Sequence, residues 1–137
     1  MISSLFVDAS AWIALFNKDD RYYEKAMAFW EQIPEARLHL VTNDYVMDET
    51  YTFLRKSQNG LNRAIQAYEV VEKSGLIELV EVNDDYRRRG WLLFTKYTDK
   101  VISFTDCVCF AMMHELGVYQ VFSFDADFAR AGFVVRP

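Results

Sequence analysis

Four acidic residues stand at the ends of apolar stretches or inside helical ones: Asp8, Glu49, Asp106 and Asp125. Asp8 ends the run Leu5-Phe6-Val7, and Asp125 ends the strand-like stretch from Val118 to Phe124. Asp106 opens a helical segment at Ser103-Phe104-Thr105-Asp106. Glu49 lies between Val46 at i−3 and Phe53 at i+4, so it flanks or joins an apolar helical face. Carboxylates gathered within a few ångströms repel, and they do not all stay ionised without cations. An oxygen-only donor set lacking histidine and cysteine favours Mg²⁺ or Mn²⁺ over zinc. Such a site suits phosphoryl chemistry, because the metal acidifies a bound water and stabilises charge on an in-line transition state.

Each acid also has an ordinary structural reading. Asp8 and Asp125 are favoured helix N-caps. Ser103-x-x-Asp106 matches a capping box, which explains Asp106 completely when it is taken singly. Glu49 on an apolar face is costly unless a salt bridge or a tilt towards solvent relieves it. The functional reading gains weight from the set, since two of the four sit at strand ends.

Nucleophilic alternatives are poorly supported. The two histidines, His39 beside a strand and His114 late in a helix, fit structural roles. Cys107 and Cys109 lie two apart in a helical segment and point to different faces, so neither a disulfide nor a four-ligand zinc site suits them. Buried thiols are the plain reading. No Gly-x-Ser-x-Gly elbow and no Walker A loop occurs.

The elements that must position the acids alternate in type. Strand-like stretches are Leu5–Val7, Leu38–Val41, Leu76–Val82, Val118–Phe124 and Phe133–Val135. Helical spacing marks the segment after Asp8, then Tyr22 to Ile33 with Pro34 as its stop, Asn43–Lys56, Leu61–Ser74, Asp84–Tyr97, Ser103–Leu116 and Asp125–Ala131. Alternation of this kind implies an α/β three-layer domain with a mostly parallel sheet, whose ligands bind beyond the carboxyl ends of the strands. At 137 residues, with no repeat or linker, residues 1–137 are read as one domain. The 52% apolar and 16% aromatic content excludes a disordered chain. No apolar run reaches the roughly 20 residues of a membrane span. The first residues make a poor signal peptide, so the expected location is the cytoplasm.

Phe6-Val7-Asp8-Ala9-Ser10-Ala11-Trp12-Ile13-Ala14-Leu15 resembles the opening motif of PIN-domain ribonucleases, especially VapC-type toxins of bacterial toxin–antitoxin pairs. Asp48-Glu49-Thr50, Ser103-Phe104-Thr105-Asp106-Cys107 and Phe122-Ser123-Phe124-Asp125-Ala126-Asp127-Phe128 agree in order and spacing. Ala131-Gly132-Phe133 resembles the usual terminus, so the likeness covers essentially the whole chain. By this resemblance the metal-binding acids are Asp8, Glu49, Asp106 and Asp125, with Asp127 as a fifth that only some members carry. Ser10 and Thr105 match hydroxyl positions lining the family's site. The resemblance implies a PIN-like sheet of about five parallel strands and a Mg²⁺- or Mn²⁺-dependent endoribonuclease. Its products would carry a 5′-phosphate and a 3′-hydroxyl. It also implies a cognate antitoxin whose carboxy-terminal segment fills the cleft, and a homodimer. Tyr22, Tyr23, Trp30, Tyr45, Tyr51 and Phe53 lie on helices that would form that groove, some of them in the core instead.

The formal charge of −5, from 20 acids and 15 bases, argues on its face against a nucleic-acid partner. With four or five carboxylates gathered in one cleft, however, the remaining surface is close to neutral. Arg87, Arg88 and Arg89, with Lys96 and Lys100 beyond, are then the best candidates for holding RNA phosphates, and Arg55-Lys56 is a weaker second. An ordinary solvated helix face is the competing reading. Two other functions compete with a toxin: a PIN-fold nuclease acting in RNA processing or on structured DNA, and a non-catalytic protein-binding module.

Overall fold

The computed structural model describes residues 2–98 and 100–137; Met1 and Asp99 lie outside it. Five strands form one all-parallel sheet: β1 (Ser3–Val7), β2 (Leu38–Asn43), β3 (Ile77–Val80), β4 (Gln120–Phe122) and β5 (Val134–Arg136). Their order is β3-β2-β1-β4-β5. The central strand is buried on both faces, which is why Leu5, Phe6 and Val7 read as a continuous apolar run. Leu5 sits opposite Leu40, and Val7 opposite Phe122.

Among the described residues seven α-helices connect the strands: α1 (Ala9–Phe16), α2 (Tyr23–Ala36), α3 (Asp44–Arg55), α4 (Gly60–Tyr68), α5 (Asp84–Lys96), α6 (Phe104–Leu116) and α7 (Ala126–Arg130). Helices α1 to α4 pack against one another, and α5 packs against α6. Helix α6 is buried from Asp106 to Met113, so it shows no one-sided apolar stripe. No helix among the described residues is long and apolar enough to cross a membrane.

The chain leaves β1 for β2 on one side and returns from β3 to β4 on the other. That reversal opens a crevice at the carboxyl ends of β1 and β4, where α/β sheets bind ligands. Asp8 and Asp125 both lie there, immediately or shortly after those strands.

β3 and β4 are shorter than the expected Leu76–Val82 and Val118–Phe124, β1 and β2 are longer than expected, and two helices differ as well. Pro34 does not stop α2, which runs on to Ala36. The missing N–H removes one backbone bond, which the last turn tolerates. The stop is Arg37 in the left-handed region (φ 52°), whose N–H reaches Pro34 O. The Leu61–Ser74 helix begins at Gly60, and its last turn, Glu69–Lys73, widens to π-helical bonding.

Candidate active site

The site begins with Asp8, buried at the end of the central strand. Its N–H donates to Phe122 O at 3.1 Å, tying β1 to β4 at this point. Its side chain caps α1, with Ser10 N 3.4 Å from Oδ2. Two hydroxyls donate to the same oxygen: Ser10 Oγ at 2.8 Å and Ser123 Oγ at 2.9 Å. Each hydroxyl in turn accepts a backbone N–H, from Phe124 at 2.9 Å and from Asp125 at 3.0 Å. The two serines thereby lock the loop after β4 onto the end of β1. Burial raises the Asp8 pKa, the two hydroxyls pull it back, and the Asp125 charge raises it further.

Three other carboxylates meet beside this network. One oxygen each from Asp106, Asp125 and Asp127 lies within 4.8 Å of the other two. Asp106 is held by α6, whose first turn is capped by Ser103 Oγ accepting Asp106 N at 3.0 Å. Asp125 caps α7 by accepting Asp127 N at 2.9 Å, and Asp127 accepts Arg130 Nη1 at 2.9 Å. The Asp106 carboxyl is pushed up to about 8, by burial first and then by the charges of Asp8, Asp125 and Glu49. Glu49 is solvent-exposed on α3, yet its carboxyl is also raised, by partial desolvation and by Asp8, Asp125 and Asp48. The capping readings of Asp8 and Asp125 are therefore met in the fold, and both caps face the same acidic crevice.

The donor chemistry fits a hard divalent cation. Three carboxylate oxygens converge, and among the described residues no His or Cys joins them in the cluster. Both thiols are buried; Cys109 receives the Asn43 amide at 3.5 Å. His39 pairs with Glu78 across the β2–β3 edge, and His114 packs on Phe133.

Among the hydroxyls expected at the site, Ser10 is in it. Thr105 is half-buried on the first turn of α6, and among the described residues it makes no hydrogen bond to the acids. Ser123, which carried no assigned role in the sequence, does as much as Ser10.

The basic residues are placed unequally. Arg87 pairs with Asp84, while Arg89 reaches Asp85 at 2.9 Å and Glu115 at 2.8 Å. Arg88 is exposed with no ion pair among the described residues. Lys96 is exposed at the end of α5, and Lys100 lies over the Tyr97 ring at 5.0 Å. Arg55 and Lys56 border a separate groove with Tyr51 and Ala64. The aromatics divide as well: Tyr22 stacks on Phe124 at 4.5 Å and Trp30 packs on the buried Trp12, whereas Phe53 is exposed.

Several known proteins resemble this chain in sequence and fold. Two curated relatives, from two strains of Mycobacterium tuberculosis, bear the name 23S rRNA-specific endonuclease VapC20. Each is 32% identical over 97% of this chain and 98% of its own length. The crystal structure of Mycobacterium tuberculosis VapC20, described as a Sarcin-Ricin loop cleaving toxin, superposes with a TM-score of 0.87 at 31% identity, covering 100% of both chains. The crystal structure of VapBC2 from Rickettsia felis, bound to a DNA fragment from its promoter, shares the fold. Its TM-score is 0.70 at 11% identity, over 99% of this chain and 98% of that one. The PIN domain family matches residues 5–134, a span that runs from within β1 past α7 and takes in every acid of the crevice, and the chain belongs to the PIN domain family.

Proposed function

We propose that this chain is a Mg²⁺- or Mn²⁺-dependent endoribonuclease, the toxin of a toxin–antitoxin pair. The observation that carries the reading is the cluster of Asp106, Asp125 and Asp127 oxygens within 4.8 Å at the crevice between β1 and β4. The name of the 32%-identical relative supports the same substrate class and makes a 23S rRNA loop the first RNA to try.

Asp106, Asp125 and Asp127 would hold the cation, with Asp8 and Glu49 adding negative charge from β1 and α3. When bound, the divalent ion supplies Lewis acidity, acidifying a water and offsetting charge on the phosphate oxygens. Burial and the neighbouring charges favour the protonated form of Asp106, and a cation held there would favour its carboxylate. Ser10 and Ser123 fix the Asp8 carboxylate so that its orientation survives the repulsion of its neighbours. Water attacks phosphorus, the bond to the 3′ oxygen breaks, and that oxygen leaves with a proton. The products carry a 5′-phosphate and a 3′-hydroxyl.

Arg88, with Arg87, Arg89, Lys96 and Lys100 nearby in sequence, supplies phosphate contacts. A protein antitoxin covering the crevice, self-association as a homodimer and a cytoplasmic location complete the reading; the VapBC-type neighbours support the first of these. The test is to incubate the purified chain with a 23S loop RNA, a transfer RNA and a flapped DNA, in Mg²⁺ or Mn²⁺ and in chelator. The expected result is metal-dependent RNA cleavage leaving 5′-phosphate ends. Cleavage that chelator does not affect, or products ending in a 2′,3′-cyclic phosphate, would overturn it.

A further inference from the structure

An aromatic shelf leads away from the acidic crevice. Phe104, the first residue of α6, stands two positions before Asp106, on a different face of the helix. Its ring lies 6.4 Å from Tyr45, which precedes Glu49 by one turn of α3 and shares its face. On its other side Phe104 meets Phe94 at 5.9 Å and Trp91 at 6.4 Å. Trp91 also stacks on Phe94 at 5.6 Å, so the indole is braced by two rings, yet it remains 56% exposed. Together with Asp84, Arg87, Arg88 and Leu92, Trp91 and Phe104 line an open groove of about 540 Å³. Arg88 lies three residues before Trp91 on the same helix face, with no acid holding it among the described residues.

An exposed, braced indole beside a free guanidinium has the chemistry that single-stranded RNA recognises. The ring offers a face for a splayed base, and the arginine takes the adjoining phosphate. The rings link this pair to the acids: Phe104 begins the helix that carries Asp106, and Tyr45, against Phe104, shares a face of α3 with Glu49. We infer that Trp91, on the Phe94–Phe104 brace, is a base-stacking residue for RNA flanking the cleaved phosphate, with Arg88 as its phosphate partner. Trp91 is a positioning and specificity residue, and it takes no part in the bond-breaking step.

This inference rests on the nuclease reading, and the experiment separates the two. Binding of a fluorescein-labelled RNA hairpin loop is measured in Mg²⁺ by anisotropy, on the Asp8→Asn chain so that the RNA survives. Trp12 is buried and Trp30 half-buried, so quenching of tryptophan emission reports chiefly on Trp91. The expected results are quenching on RNA addition and binding weakened roughly 5- to 100-fold by Trp91→Ala. Trp91→Phe should retain most of the affinity, and Arg88→Ala should lower the salt slope by about one. Absence of quenching, or Trp91→Ala binding as tightly as its parent, overturns the stacking role. If Trp91→Ala then also elutes as a smaller species, the groove is an interface between copies of this chain. Cleavage by Asp8→Asn at the parent rate would instead sink the nuclease reading itself.

Discussion

At the scale of single residues, the crevice is a problem of unneutralised charge. Asp106 shows it most clearly, because its carboxyl is buried beside three other acids and keeps a proton to about pH 8. Replacing it by Asn removes the cost of holding that proton, which the unfolded chain releases, while Ser103 still caps the helix through the residue 106 backbone N–H. In chelator, Asp106→Asn is therefore expected to melt several degrees above the parent, and to lose most of the increment that Mn²⁺ gives the parent. Equal or lower melting without metal would mean that the acids do not strain the fold. Ser123 acts in the opposite sense. Its hydroxyl donates to Asp8 and accepts Asp125 N, so Ser123→Ala leaves a buried carboxylate short of a donor. A loss of about 1–2 kcal/mol is expected in chemical denaturation, together with weaker Mn²⁺ binding. The acids were legible in the sequence because residue type, spacing and family resemblance all pointed at them. Ser123 was not, since a serine is common in loops and its partner Asp8 lies 115 positions away.

At the scale of elements, the shelf and the acids depend on how closely α5 approaches α6. Gly90 sets that distance: a Cβ there would lie 2.6 Å from Val108 Cγ2 and 2.9 Å from Val108 Cα. By helix propensity alone, Gly90→Ala should stabilise α5 by about 1 kcal/mol. The clash with α6 backbone outweighs that gain, because Val108 lies in the buried stretch of α6, Asp106 to Met113, which cannot retreat. The expected net is a loss of about 1–3 kcal/mol by urea melting. A stabilised variant would show that α5 is free to shift. Most elements were readable from period and caps; Asn43, Ser103 and Asp125 each cap the helix that follows. Pro34 misled because a proline signals a stop only where no left-handed residue follows to make one, and Arg37 does so without being glycine. The close approach at Gly90 left no trace in the sequence, since nothing local distinguishes a packing glycine from a tolerated one.

At the scale of the whole molecule, five parallel strands converge distant parts of the chain on one crevice, and pH and metal act on all of them together. Asp106, Asp8 and Glu49 all have raised pKa values, so the cation-free native state retains protons that the unfolded chain has released. Stability must then fall as pH rises from about 4, where an unfolded aspartate ionises, to about 8, where Asp106 does. In chelator the melting temperature should be higher near pH 5.5 than near pH 8, and saturating Mn²⁺ should shrink that difference. A chelated protein more stable at pH 8 would contradict the assignment. The α/β class was legible from alternating periods, but the strand order was not, since crossover sides leave no local signal. The central claim is that these acids hydrolyse RNA with a divalent ion, and the most direct measurement is the cleavage rate of a 23S loop RNA in Mg²⁺ by the parent and by folded Asp8→Asn. The account requires cleavage by the parent and a fall of at least about 100-fold in the variant, on the scale of losing one electrostatic catalytic group. Cleavage by Asp8→Asn at the parent rate would contradict it.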